Sequence, residues 1–149
     1  TTRAPAPTTQ APVVTTAPTT TKAPAATVDG SFNRSSCDEF IALLNQYRAG
    51  KGVGALQKSS SLTGVAEKRS VEIVSNFSHA GIAKYGNYGE NIFMGAGAER
   101  YNYASTALDA FKKSAGHDTN QLYAAYNYVG VGHYITPSGA HYWTVIFSF

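Results

Sequence analysis

Apolar residues recur along this chain in two rhythms, and the change from one to the other divides it. In "SSCDEFIALLNQYRAG", residues 35–50, Cys37, Phe40, Ile41, Leu44 and Tyr47 fall at the three- and four-residue steps of a single helical stripe. Ser36 followed by Glu39 has capping-box spacing, and Gly50 and Gly52 stop the helix. A second helix is predicted from about Ser61, with Leu62, Val65, Ala66, Arg69 and Ile73 on one face and Lys68 four residues before Glu72. A third, roughly Arg100 to Lys113, turns Ala104, Ala107, Leu108 and Phe111 inward, and one more step of three reaches Ser114. The rhythm then becomes alternation. "YVGVGHYI" and "HYWTVIFSF" flank the turn "TPSG", which predicts an antiparallel hairpin with Val129, Val131, His133 and Ile135 on one face of its first strand. Between the second and third helices the chain is rich in Gly, Asn and Tyr, and reads as an ordered loop with one short strand near Asn91–Met94. Helices ahead of a terminal hairpin, plus one internal strand, make an α+β domain with a mainly antiparallel sheet.

None of this periodicity extends to the first 27 residues, which are nearly all Thr, Pro, Ala and Val, with Arg3 and Lys22 as the only charges. Such a composition buries too little apolar surface to offset the entropy of ordering. Residues 1–30 are therefore expected to be a disordered Thr/Pro-rich stalk or linker, glycosylated or bare, and 31–149 a single domain. From Gly30 onward ten Lys/Arg stand against eight Asp/Glu, and the basic residues form no cluster with interleaved aromatics. The charge pattern is not that of a nucleic-acid binder. No apolar run approaches the length of a membrane-spanning helix. The single cysteine, Cys37, can form no internal disulfide and reads as a small apolar residue packed in its helix.

Ser114, His117 and Asp118 bring the residue types of a hydrolytic triad into one short stretch. The arrangement lacks the strained elbow and oxyanion donors that expose a nucleophile. His133 and His141 flank the hairpin turn and read as solvated surface residues. The tyrosines, ten in all, suit either a half-buried sheet surface or a carbohydrate- or lipid-contacting face.

The ordered run "LLNQYRAGKGVGALQKSSSLTGVA", "FSHAG", "YGENIF", "FKKSAGHDTNQL", "YVGVGHY" and "YWTVIF" resembles the CAP superfamily of cysteine-rich secretory, antigen 5 and pathogenesis-related proteins. It is most similar to the disulfide-free, bacterial SCP-like extracellular branch. The resemblance implies an α-β-α sandwich, a secreted or cell-surface location, and a cleft carrying two histidines and two acidic residues. Matched by motif, these positions are His79, Glu90, His117 and, in place of the second acid, Ser114. Phe111 stands where many relatives have Trp, and Asp118 where the bacterial branch commonly has Arg.

Two imidazoles and a carboxylate are a sufficient donor set for zinc with one open position, so His79, Glu90 and His117 are a candidate site for a divalent metal. The same groups equally suit a hydrogen-bonded network that orders the glycine-rich loop. The resemblance points to a binding or interaction module, with a protein, polysaccharide or lipid as partner. A metal-dependent hydrolase built on those three residues is the alternative, and a small-lipid or sterol binder a second.

Overall fold

The computed structural model describes residues 29–149; the Thr/Pro-rich stretch lies outside the described residues except for its last two positions. The elements, in chain order, are β1 (Ser31–Phe32), α1 (Arg34–Gly50), β2 (Gln57–Lys58), α2 (Ser60–Ser75), a 3₁₀ turn (His79–Lys84), β3 (Gly89–Gly95), a second 3₁₀ turn (Glu99–Asn102), α3 (Ala104–Lys112), α4 (Ala115–Leu122), β4 (Tyr128–Ile135) and β5 (His141–Ser148). The expected α+β fold is present, as an α-β-α sandwich around a small and mainly antiparallel sheet. Its strand order is β1-β4-β5-β3, and β2 runs parallel to the opposite end of β4.

Strand alternation assigns each helix its layer. Val129, Val131, Trp143, Val145 and Phe147 face one way and close a core with Phe40, Leu44, Leu108 and Phe111 of α1 and α3. The intervening residues face α2, and two of those on β4 are Gly130 and Gly132. Here the absence of a side chain lets the backbone of α2 rest on the strand. A Cβ on Gly132 would stand 2.7 Å from the Glu67 amide nitrogen and closer still to the Ala66 carbonyl. Gly132→Ala is therefore expected to destabilise the domain by about 1–3 kcal/mol, since two backbones must part. Gly64→Ala, on an open part of α2 with nothing within 4 Å, should stabilise by about 0.5–1 kcal/mol through helix propensity. Urea unfolding of both variants checks the pair, and equal midpoints would contradict this packing.

The structure corrects four local expectations. Helix α1 begins at Arg34 with Asn33 as its N-cap, whose side chain accepts from the Ser36 amide, so no Ser36–Glu39 capping box forms. Asn33 reaches that role because its own amide is anchored on Asn102, 2.9 Å away. Glu72 pairs with Arg69 and Lys84 rather than Lys68. The predicted third helix is two pieces, the second 3₁₀ turn and α3, and Ser114 is the half-buried N-cap residue of a further helix, α4, not the end of the α3 stripe.

His133 and His141, read as solvated, are both buried. The β4 pattern places His133 on the inner face with Val129 and Val131, and the tertiary contacts keep it there. Its ring stacks on Trp143 at 3.8 Å, with Nδ1 2.7 Å from the Ser36 hydroxyl and Nε2 2.9 Å from Nδ1 of His141. Cys37 is buried as expected, and burial pushes its thiol up to about 12.

Candidate ligand cleft at the β3 edge

β3 is the strand where the two helical layers meet at an edge, and consecutive residues of it serve opposite layers. Glu90 lies opposite Ile146, on the α2 side, whereas Asn91 lies opposite Val145, on the α1/α3 side. Asn91 donates to the carbonyl of His117 at 2.9 Å and accepts from the Asn120 amide at 2.9 Å. Through those two bonds α4 is tied to the strand, and His117 is brought to the edge.

Glu90 turns the other way, under α2, and meets Arg69. Both side chains are 2% exposed. Arg69 Nε donates to Glu90 Oε1 at 2.7 Å and Nη2 to Oε2 at 3.3 Å. The same guanidinium donates to the Ser78 carbonyl at 2.7 Å and to Glu72 at 2.9 Å. Burial alone would lower the Arg69 pKa, but the bonds to Glu90 and Glu72 reverse this and hold it above its ordinary value. A forked guanidinium of this kind, with four of its five N–H donors engaged, is the geometry in which arginine fixes a carboxylate.

Glu90 Oε2 also takes a bond from Nδ1 of His79, 2.8 Å away. A carboxylate only accepts, so Nδ1 carries the proton, and in the neutral ring Nε2 is left with its lone pair. His79 is half exposed, its side chain 54% accessible. The His117 ring faces it edge-on with centroids 6.1 Å apart, and is backed by Phe111 at 5.2 Å. Burial, and secondarily the neighbouring His79, lower the His117 pKa. Near neutral pH this imidazole is therefore uncharged.

These groups line one open cleft of about 510 Å³, together with Ser114, Asn120, Tyr88 and Tyr126. The structure thus places His79, Glu90, Ser114 and His117 around a single cavity. Their roles differ. Glu90 is a buried anchor, the two imidazoles are the accessible bases, and the Ser114 hydroxyl makes no capping bond. Asp118 points away, accepting from Tyr47 at 3.0 Å and from Gln121 at 3.2 Å, so it orients neither histidine.

Three contributors, Asn91, Asn120 and Arg69, were missed in the sequence. Asn91 and Asn120 carried no signal, because an amide pair in register across a strand and a helix is visible only once folded. Arg69 did carry one: an arginine on an apolar helical stripe implies a buried acid to meet it.

The sequence profile of the cysteine-rich secretory protein (CAP) family matches residues 41–147. The chain belongs to this family. No curated protein sequence matches it. Among solved structures this CAP domain is similar to an outer surface protein of Borrelia burgdorferi, with a TM-score of 0.64 and 15% identity over 79% of this chain and 96% of that one. A cysteine-rich secretory protein of Staphylococcus aureus matches with a TM-score of 0.60 and 19% identity over 77% of this chain, which spans only 39% of that protein. A third, NaASP2, was solved with Zn²⁺; it matches with a TM-score of 0.64 and 16% identity over 78% of this chain and 80% of that one. At such identities the likeness establishes the fold.

For a metal in this CAP domain, the donors fit only in part. Among the described residues no three His, Cys, Asp or Glu side chains form a metal-holding group. Both Glu90 oxygens are already engaged, and a guanidinium lies 2.7 Å from one of them. The three-ligand set expected from His79, Glu90 and His117 is thus reduced to two facing imidazoles.

Proposed function

We propose that this CAP domain is an extracellular binding module whose cleft receives a polar ligand between His79 and His117, rather than a hydrolase. The observation that carries this reading is the state of Glu90. A general base must reach the proton that it removes, and a metal ligand needs a free lone pair. Glu90 is 2% exposed, with its oxygens held by Arg69 and His79. Its place in the structure supports the role of an anchor that fixes the His79 tautomer, as carboxylates do for metal- and ligand-facing histidines elsewhere.

Location outside the cell is supported by the Thr/Pro-rich stretch and by the similarity to proteins described as outer-surface and secretory. Among the described residues no helix is long and apolar enough to cross a membrane. The largely polar lining of the cleft, with its one carboxylate paired to Arg69, favours a polysaccharide or protein partner over a lipid.

Calorimetric titration of the 149-residue chain with zinc tests the reading. Two imidazoles give a site weaker than about 10 μM, below what three protein ligands provide, and His79→Ala with His117→Ala should abolish it. Submicromolar affinity would mean that Glu90 leaves Arg69 to join the metal, and the hydrolase alternative would displace this one.

A further inference from the structure

The cleft does not end at Tyr126. Tyr88 lines it and also lines a second depression of about 250 Å³, whose other walls are Ser59, Ser61, Leu62, Tyr128 and Ser148. The two cavities therefore adjoin across one ring. None of the residues of the second cavity carries a charge. Its polar side chains are three serines and the two tyrosines, and the hydroxyls of Ser59 and Ser61 bond each other at 2.9 Å.

The rings at this junction are built in place. Tyr88 packs against Leu62, Ala66 and Ile146, and Gly86, at φ +150°, makes room for it, since a Cβ there would lie 2.8 Å from the Tyr88 ring. The Tyr126 ring stacks on Phe147 at 5.4 Å and 16°, and its phenol end sits over Gly89, where any Cβ would collide with it. Gly86, ahead of β3, and Gly89, its first residue, thus leave space for two packed tyrosines that line the cleft. Beyond them Tyr128 remains 41% exposed, on the first residue of β4. Rigid aromatic rings offer apolar contact at little entropic cost, with a hydroxyl at the edge.

Rings alternating with neutral hydroxyls and amides, with the only buried carboxylate of the cleft neutralised by Arg69, match one ligand chemistry well. A pyranose has an apolar C–H face to lie on tyrosine and hydroxyl edges to meet Ser and Asn. A lipid chain would leave the serines unmatched, and a charged polymer would find no counter-charge. We propose that the cleft and this depression together form a groove for a neutral oligosaccharide, with Tyr88 at its centre and Tyr128 at its outer end. The inference deepens the binding-module reading by naming a ligand class, and rests on it only in taking the cleft as a ligand site.

Calorimetric titration of the full chain with maltohexaose, cellohexaose and chitohexaose tests the groove, with a heparin hexasaccharide as the charged comparison. Binding of at least one neutral hexasaccharide is expected, weakened about tenfold or more by Tyr128→Ala and retained by Tyr128→Phe. Ser61→Trp, which fills the depression from an exposed position, should weaken it comparably. Tyr128 and Ser61 lie at the surface, so thermal unfolding should be unchanged in these variants. The proposal is overturned if none of the three neutral sugars binds at millimolar concentration, if the heparin fragment binds more tightly than all of them, or if both Tyr128→Ala and Ser61→Trp leave the affinity intact. A chain that binds zinc weakly at the histidines but no sugar would keep the cleft reading and lose the groove.

Discussion

Replacing Arg69 by methionine is expected to cost the domain about 3–5 kcal/mol, the largest loss from any single side chain of the cleft. Methionine fills much of the volume of the arginine stem, so the loss is chiefly electrostatic. It leaves Glu90 buried at 2% exposure without its guanidinium. The Ser78 carbonyl also loses its 2.7 Å donor. Glu72 suffers less, because Lys84 and Tyr85 still hold it. Against a total stability of about 5–15 kcal/mol for a typical domain, the variant would be marginal at room temperature. Glu90→Gln should be damaging for the mirror-image reason, since it leaves a buried guanidinium without a charge partner. The informative species is the double variant Arg69→Met/Glu90→Gln. Removal of both charges should restore much of what either single change loses, because a buried ion pair contributes little net stability over neutral groups of similar shape. Urea midpoints for the four proteins complete the cycle, and strictly additive losses would show that Arg69 and Glu90 do not act as a pair.

A fall of stability between pH 6.5 and 4.5 is the second large effect, and it belongs to His133. Burial, and secondarily His141, lower its folded-state pKa to about 3, against an ordinary histidine value of 6.5. Above pH 6.5 the ring is neutral in both states and contributes nothing to the pH dependence. Below it the unfolded chain gains a proton that the folded protein refuses, so stability drops by about 1.4 kcal/mol for each pH unit, or roughly 3 kcal/mol by pH 4.5. His141 and His117, both also lowered by burial, act in the same direction. Glu72, whose folded pKa is lowered by Lys84, Tyr85 and Arg69 against the opposing effect of burial, loses its contribution only below about pH 4.5. The window above that value is therefore read from histidines. His133→Phe keeps a ring on Trp143 and removes the titrating group. Its unfolding midpoint should vary much less with pH over the window, although it starts lower at pH 7 because Ser36 and His141 lose a partner. Parallel pH profiles for the two proteins would place the effect elsewhere.

Both effects arise at residues whose positions, though not partners, were legible in the sequence. The stripe that defines α2 includes Arg69, and the alternation that defines β4 sets His133 beside Val129 and Val131 on the inner face. What periodicity withholds is the identity of the group across the interface. The partner of Arg69 is 21 residues away on another element, and the Ser36 hydroxyl that meets His133 is 97 residues away. Proximity to a turn made the surface reading of His133 the simpler one, and the stacking on Trp143 is what overrides it. The end of the third helix near Lys113 was legible, and α3 does stop at Lys112; what spacing did not announce is that the chain resumes as a further helix, α4, from Ala115. That helix buries only Gln121 and so shows no apolar stripe; the bonds of Asn91 and Asn120 tie it to β3.

The sequence by itself did not place α4 or the short strands β1 and β2, but it determined where α1, α2, α3 and the β4–β5 hairpin lie, the apolar stripes they bury, and, through six motifs in order, the family to which the chain belongs. These are properties of local spacing, and spacing survives without knowledge of the fold. Only the tertiary structure decided what the cleft residues are free to do. A carboxylate, two imidazoles and a serine have the same chemistry on paper wherever they stand. It is the buried guanidinium behind Glu90 that turns the carboxylate from an available base or ligand into a fixed anchor, because a charge removed from water must be paired, and both of its oxygens are held by Arg69 and His79.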